Sequence, residues 1–372
     1  IKILFAENPG IVIQVKDKHK EEVKKILEDA GIGYVKLGKP TEERHILVEK
    51  GDATYQFGID YLRDVWYSTS YLLDRKQSMN GCAKKRFENY KKQPLEFVFD
   101  KSFTGKLSQF GLNPDRRTPT GIKAAIIREK GTNGEREMAY MLYLAGFDVK
   151  DVTMTDLVSG RETLEDINFI VFCGGFSNSD VLGSAKGWAG AFLFNPKAKA
   201  ALDNFYARKD TLSLGVCNGC QLMIELNLIN PDFTKKAKML HNDSHKFESK
   251  FVGVTVPMNR SVMFGSLSGS KLGIWVAHGE GKFSLPYHED KYNVVLKYSY
   301  DEYPGNPNGS DYSVAGLASP DGRHLAMMPH LERSCFPWQN AYYPADRIKN
   351  DQITPWMEAF VNARKWIEMN KK

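Results

Sequence analysis

The sequence predicts an α/β protein built on an open, mostly parallel β-sheet flanked by helices. Beyond residue 120, short apolar runs alternate with amphipathic segments, a pattern typical of βαβ units. Glycines close the helical segments, as Gly146 does after EREMAYMLYLA. The 372 residues are also enough for a full hydrophobic core and two domains. Two smaller parts, an α/β fragment and a helical linker, precede the main sheet.

The first 52 residues predict the smaller α/β fragment. We expect a strand over 10–15 (GIVIQV), an amphipathic helix over 18–31 and a second strand over 44–51. Residues 53–120 are predicted to be a helical and extended linker. Its helix is expected over 55–77, where large side chains recur near 3.6-residue spacing, at Tyr55, Ile59, Leu62, Trp66 and Leu73. Three prolines in 93–120 indicate extended chain.

Residues 121–372 are predicted to hold the main domain. The segments that we expect as strands are 122–127, 147–152, 168–175, 211–216 and 324–328. The segments that we expect as helices are 135–146, 195–210 and a helix that starts near 220.

Composition excludes several classes of protein. No apolar run approaches the ~20 residues of a membrane span, and no secretory signal is visible. The net charge of +6 is too small to predict a nucleic-acid partner. Five cysteines, an odd number, disfavour a disulfide framework and favour a reducing, cytoplasmic location. Because the chain starts at Ile1 rather than Met, we expect a piece of a longer protein.

Cys217 is the strongest candidate for a catalytic residue. It follows the predicted strand TLSLGV and stands between Gly215 and Gly219, in the G-x-nucleophile-x-G pattern of a nucleophile elbow. Such a turn places the thiol at the carboxyl end of the sheet, beside a helix N-terminus that favours the thiolate. We therefore interpret Cys217 as a single nucleophile, and Cys220 as a buried small side chain.

A thiol nucleophile needs a base, and the base needs a group that orients it. His330 and Glu332 follow the predicted strand HLAMM, and side chains two residues apart on extended chain point to the same side. The turn at Gly174 and Gly175 could supply backbone N–H groups for an oxyanion, with the N–H of Asn218 as the second donor.

Two other interpretations of Cys217 and Cys220 are a zinc site and a redox CxxC pair. The zinc interpretation would use His241 and His245, but 20 residues separate the two pairs against the usual ~12–15. A redox pair at a helix start fits loosely, but it leaves PHLE and CGG unexplained.

Together these residues are similar to those of a class I (triad) glutamine amidotransferase domain. The longer strings resemble one group within that class, the large single-chain synthetases of purine biosynthesis. They are GTNGEREMA, CGGFSNSDVLGSAKGWA, LGVCNGCQLM, HNDSHKFES, VAHGEGKF, NPNGS, MMPHLERS and TPWMEAFVNARKW. Residues 1–52 resemble the C-terminal piece of an ATP-binding synthetase lobe, and VWYSTSYLLDR resembles the segment that joins synthetase to glutaminase.

The resemblance implies a role for each matching residue. Cys217 would be the nucleophile, His330 the acid and base, and Glu332 its orienter. The oxyanion hole would consist of Gly174, Gly175 and Asn218, and glutamine would contact Gln221, Asn242 and Ser244. The resemblance implies no metal and no cofactor in this region. ATP and magnesium would belong to the remaining synthetase domains of the same polypeptide, which would receive ammonia for the amidation of formylglycinamide ribonucleotide.

This sequence departs from the pattern at Leu331, at Asn178 and Ser179, and at Lys246. No Walker-type phosphate loop is found, so the chain by itself is expected to cleave glutamine at most. The alternatives are another triad amidotransferase, a CxxC redox or zinc module, and a catalytically silent scaffold in which Leu331 spoils the His330–Glu332 geometry.

Overall fold

The computed structural model describes Glu7, residues 9–93 and residues 95–371. The chain forms two compact units, residues 1–66 and residues 67–372. Within the described ranges, no helix has both the length and the apolar character needed to cross a membrane.

The first unit contains one helix and one hairpin, and helix α2 begins in it. The helix is α1 (Lys20–Asp29), and the hairpin consists of β1 (His45–Lys50) and β2 (Ala53–Gly58). Helix α2 (Ile59–Gln77) contains the boundary between the two units. The predicted helix over 18–31 and the predicted strand over 44–51 are confirmed, because α1 and β1 lie within them.

Two predictions for this part of the chain are wrong. Residues 10–15 form no strand; Ile11 and Val12 are 91% and 80% exposed, and no described segment pairs with them. An apolar run becomes a strand only where a neighbour completes its hydrogen bonds. Residues 55–58 are not helical, because β2 pairs antiparallel with β1 from Ala53 to Gly58. The helix therefore starts at Ile59.

The second unit is built on a nine-stranded sheet flanked by helices, which confirms the predicted fold class. The strands of this unit are β3 (Lys123–Arg128), β4 (Thr132–Asn133), β5 (Asp148–Thr153), β6 (Phe169–Phe172), β7 (Gly174–Gly175), β8 (Leu212–Val216), β9 (Lys238–Leu240), β10 (Glu248–Thr255), β11 (Lys271–His278), β12 (Lys282–Ser284), β13 (Asn293–Tyr298), β14 (Val314–Ala318) and β15 (His324–Met327). Its helices are α3 (Cys82–Glu88), α4 (Glu135–Leu144), α5 (Met154–Ser159), α6 (Lys186–Phe194), α7 (Pro196–Ala207), α8 (Asn218–Glu225) and α9 (Trp356–Asn370).

The large sheet has the order β11-β10-β13-β14-β15-β8-β6-β3-β5. The strands from β15 to β5 run parallel to their neighbours, whereas those from β11 to β15 are antiparallel to theirs. Every residue of β6, β8, β14 and β15 is buried, as expected for strands covered on both faces. Because β11 has the same direction as β15, the carboxyl ends of β6, β8, β15 and β11 meet at one edge.

Residues 95–120 have little regular structure but pack closely on this unit. Phe99 contacts the rings of Phe97 and Phe103, and both Phe97 and Phe99 contact Tyr343. Val98 forms an isolated bridge to Lys271.

Candidate active site

Cys217 lies in a strained turn between β8 and α8. Its backbone angles are φ 53° and ψ −105°, a conformation that a non-glycine residue adopts only where the surrounding structure enforces it. The N–H of Cys217 donates to the carbonyl of Met327, at 2.9 Å, and its thiol donates to the carbonyl of Ala277, at 3.5 Å. These bonds tie the turn to the ends of β15 and β11.

The two flanking glycines are required by close backbone packing. A Cβ on Gly219 would lie 2.0 Å from the carbonyl oxygen of Phe172, and one on Gly215 would lie 2.5 Å from the carbonyl oxygen of Gly219. Real Cβ atoms do not approach backbone so closely, so the strand and helix can cross here only with glycine. The predicted elbow is confirmed in its backbone geometry.

His330 and Glu332 form a buried pair beyond the end of β15. The His330 Nδ1 lies 2.6 Å from Glu332 Oε1, and the two residues are 3% and 1% exposed. The predicted extended chain through both residues is wrong, because Glu332 lies in the short 3-10 turn Leu331–Arg333. The side chain of Leu331 is fully buried in the core, and the contact between His330 and Glu332 forms beside it.

The structure brings this pair next to Cys217. A Cβ on Gly174 would lie 2.9 Å from His330 Cε1 and 3.4 Å from Cys217 Cβ, so both side chains pack on the same glycine. Burial lowers the pKa of His330, but the charge of Glu332 and then the proximity of Cys217 outweigh it, and the pKa is raised. The imidazole is therefore held in an environment that stabilises its protonated form.

The turn of Gly174 and Gly175 lies directly against the thiol and is tied to the elbow by Asn218. The side chain of Asn218 accepts from the N–H of Ser177, at 3.1 Å, and donates to Gln221 Oε1, at 3.0 Å. Since Asn218 is the first residue of α8, its N–H has no partner within the helix. The glycine turn and the first residue of α8 therefore both lie beside Cys217.

A cavity of about 190 Å³ opens beside Cys217. The residues that line it come from the glycine turn, the elbow, the loop after β9 and the end of β11. They are Gly175, Phe176, Asp180, Ser184, Cys217, Gln221, His241, His245, Lys246, Phe247, Ala277, His278, Gly279 and Glu280. Gln221 is thus placed as predicted, and its amide donates to the carbonyl of Glu280 at 2.7 Å.

Asn242 and Ser244 are both fully buried, and the structure does not place them among the described residues that line the cavity. The Asn242 amide donates to the carbonyls of Lys246 and His278, at 2.9 and 2.7 Å. Ser244 Oγ donates to Glu248 Oε1, at 2.6 Å. Both side chains hold the loop that carries the lining residues.

A network of charged side chains contacts the loop over 242–248. Lys246 Nζ lies 3.0 Å from Asp74 Oδ1, and Arg86 lies between Asp74 and Glu248, at 2.5 and 3.5 Å. Lys250 completes the network with a 2.7 Å contact to Glu248. Residues 74–86 therefore fix the position of the loop over 242–248.

The other cysteines are buried in the core. Burial raises the pKa of the Cys173, Cys220 and Cys335 thiols far above its usual value, and that of Cys82 to about 11. All five cysteines are free, and the burial that raises the pKa of Cys220 disfavours it as the second thiolate of a redox pair. Within the described parts of the chain, no three His, Cys, Asp or Glu side chains are grouped so as to hold a metal ion.

Several lining residues escaped the sequence analysis. Asp180 and Ser184 lie in the quoted string CGGFSNSDVLGSAKGWA, and His241 and Phe247 flank Asn242 and Ser244. These strings mark the segments, but only the folded chain brings the residues to the cavity.

Comparison with known proteins identifies the family. Residues 121–367 match the CobB/CobQ-like glutamine amidotransferase domain family. The chain belongs to this family. Over 98% of its length it is 37% identical to a probable phosphoribosylformylglycinamidine synthase, chloroplastic/mitochondrial, from Arabidopsis thaliana. It is 38% identical, again over 98% of its length, to phosphoribosylformylglycinamidine synthase from Homo sapiens.

This glutamine amidotransferase chain spans only part of those relatives, 27% of the Arabidopsis protein and 29% of the human one. The structure of PurLQS from Thermotoga maritima is also similar, with 27% identity and a TM-score of 0.50. That match covers 68% of this chain and 99% of the other. The resemblance that the sequence strings indicated is confirmed.

Proposed function

We propose that this chain hydrolyses the side-chain amide of glutamine, with Cys217 as nucleophile, His330 as acid and base, and Glu332 as orienter. The observation that carries the proposal is the strained elbow at Cys217 beside the buried His330–Glu332 pair, with its 2.6 Å contact. A nucleophile and a base that pack on the same glycine, with the base in contact with its orienter, are the arrangement that covalent amide hydrolysis uses.

In the first step, the Cys217 thiolate attacks the amide carbon and forms a tetrahedral intermediate. The N–H groups of the Gly174–Gly175 turn and of Asn218 stabilise its oxyanion. Protonated His330 gives its proton to the amide nitrogen, the C–N bond breaks, and ammonia leaves a γ-glutamyl thioester on Cys217.

In the second step, neutral His330 takes a proton from water as the oxygen attacks the thioester carbon. The C–S bond breaks, glutamate leaves, and the thiolate and imidazolium are restored. Glu332 holds the ring through Nδ1, so that Nε2 is the nitrogen that exchanges the proton. The raised pKa of His330 fits an imidazole that is charged in the resting site.

We further propose that the chain is the glutaminase portion of a phosphoribosylformylglycinamidine synthase. The relatives named above bear that name and are more than three times as long as this chain, which leaves room for a synthetase with its own ATP and magnesium. Residues 1–52 would then be the end of the synthetase lobe, 53–120 the linker and 121–372 the glutaminase domain. The free, buried cysteines fit a reducing compartment such as the cytoplasm.

The test is glutamate release from glutamine, measured with the wild-type chain and with Cys217→Ser and Cys220→Ala. We expect Cys217→Ser to abolish release and Cys220→Ala to retain it. No release by the wild-type chain, or undiminished release in Cys217→Ser, would refute the proposal. For the wider proposal, the longer protein should use the ammonia to amidate formylglycinamide ribonucleotide with ATP.

A further inference from the structure

Two carboxylates, those of Asp180 and Glu280, line the cavity beside Cys217. Asp180 follows the glycine turn, and Glu280 follows β11. Ser184 connects them, because its N–H donates to Glu280 Oε2, at 3.2 Å, and its hydroxyl donates to Asp180 Oδ2, at 3.3 Å. The two acidic groups are therefore held close together on one wall of a cavity that is large enough for an amino acid.

Among the described residues, neither carboxylate has a lysine or arginine partner, and Glu280 Oε1 lies only 3.8 Å from Nδ1 of the exposed His241. Asp180 Oδ1 is buried and has no hydrogen-bond partner among the described residues. Burial, and then the negative charge of Glu280, raises the pKa of Asp180. The neighbouring lysines are bound to other carboxylates, Lys246 to Asp74 and Lys186 to Glu225. A positively charged ligand group would satisfy the free oxygen and relieve the repulsion.

His278 provides an independent sign that the cavity is built for a polar ligand. Its ring is 2% exposed and lines the same cavity, and neither ring nitrogen has a hydrogen-bond partner in the described part of the chain. Burial, and then the charge of His330, lowers its pKa to about 3. The neutral ring offers one N–H donor and one acceptor, and leaving both unused costs free energy until a ligand arrives.

We propose that Asp180 and Glu280 bind the α-ammonium group of glutamine and so select a free amino acid over other primary amides. This inference rests on the proposed glutaminase function and adds to it the residues that recognise the backbone end of the substrate. Asp180 is held in place by its backbone, because Asn178, Ser179 and Asp180 all have positive φ, at 51°, 57° and 52°. The two carboxylates act in binding and take no part in bond cleavage.

The test compares two protecting ligands that differ only in the α-amino group. Iodoacetamide alkylates Cys217, and mass spectrometry measures the rate of this alkylation. The rate is measured with increasing concentrations of glutamine or of glutaramate, which is glutamine without its α-amino group. In the wild-type chain, glutamine should protect at roughly ten- to a hundredfold lower concentration than glutaramate. In Asp180→Asn and in Glu280→Gln, that ratio should fall to a few-fold, mainly through weaker protection by glutamine.

Two further variants serve as controls. Glu368→Gln removes a carboxylate that is bound to Arg364 outside the cavity, and it should keep the wild-type ratio. Glu280→Asp retains the charge and should recover part of the preference.

Equal protection by glutamine and glutaramate in the wild-type chain would overturn the inference whatever the variants do, and it would leave the glutaminase proposal intact. No protection by glutamine in the wild-type chain would overturn both.

Discussion

Replacing Glu332 by glutamine removes the charge beside His330 with little change in shape. The carboxylate lies 2.6 Å from His330 Nδ1, and both residues are almost fully buried. Loss of one member of a buried charge pair costs about 3–5 kcal/mol. If that cost falls on the transition state in which His330 carries its proton, kcat decreases about 150- to 5,000-fold, since 1.36 kcal/mol corresponds to a factor of ten.

The assay is glutamate release from saturating glutamine, with circular dichroism and urea unfolding to confirm that Glu332→Gln is folded. KM should change much less than kcat, because Glu332 is not among the cavity-lining residues. The control is Glu162→Gln, since Glu162 is also buried but contacts Lys150 outside the cavity, and its kcat should equal that of the wild type. A folded Glu332→Gln variant that keeps kcat within threefold of wild type would refute this account of the orienter.

Two further changes test the elbow and the buried histidine away from it. Gly219→Ala would press a Cβ against the carbonyl of Phe172 and should lower the free energy of unfolding by about 3 kcal/mol or more. Gly265→Ala, with open space at its Cβ, should be nearly neutral, and similar urea midpoints for the two variants would contradict the packing argument. Burial, and then the charge of Arg323, lowers the pKa of His324 to about 4, so the unfolded chain binds the extra proton as pH falls below about 6.5. His324 should therefore contribute full stability above that pH and lose about 2 kcal/mol between pH 7 and 5, and His324→Gln should lack this part of the loss in urea unfolding.

The parallel half of the fold could be predicted because its signals are local. The apolar strands β3, β6 and β8 are each followed by glycine or by a helix start, and βαβ connections dictate how they assemble. In the antiparallel half, β10 pairs with β13 although β11 and β12 lie between them in the chain, and no local pattern sets that register. The exposed run over 10–15 failed for a related reason, since strand propensity does not supply a pairing partner.

The reacting groups could be predicted for a similar reason, whereas the wall of the cavity could not. The elbow at Cys217 and the His330–Glu332 pair each lie within a few consecutive residues, so their chemistry is readable in the sequence. The lining residues Asp180 and His278 come from segments that are about a hundred residues apart and meet only in the fold. Family strings pointed to Asn242 as a ligand contact, but its side chain is used to hold backbone carbonyls.

The most direct test of the central claim is labelling with diazo-oxo-norleucine, a glutamine-like electrophile, followed by peptide mass spectrometry. The account predicts one adduct, on Cys217, that excess glutamine suppresses and that Glu332→Gln forms more slowly. The neighbouring thiol of Cys220 serves as an internal control and should remain unlabelled, because it is fully buried and burial raises its pKa. An adduct on Cys220, or labelling of Cys217 that glutamine does not suppress, would contradict the assignment of Cys217 as the nucleophile of a glutamine site.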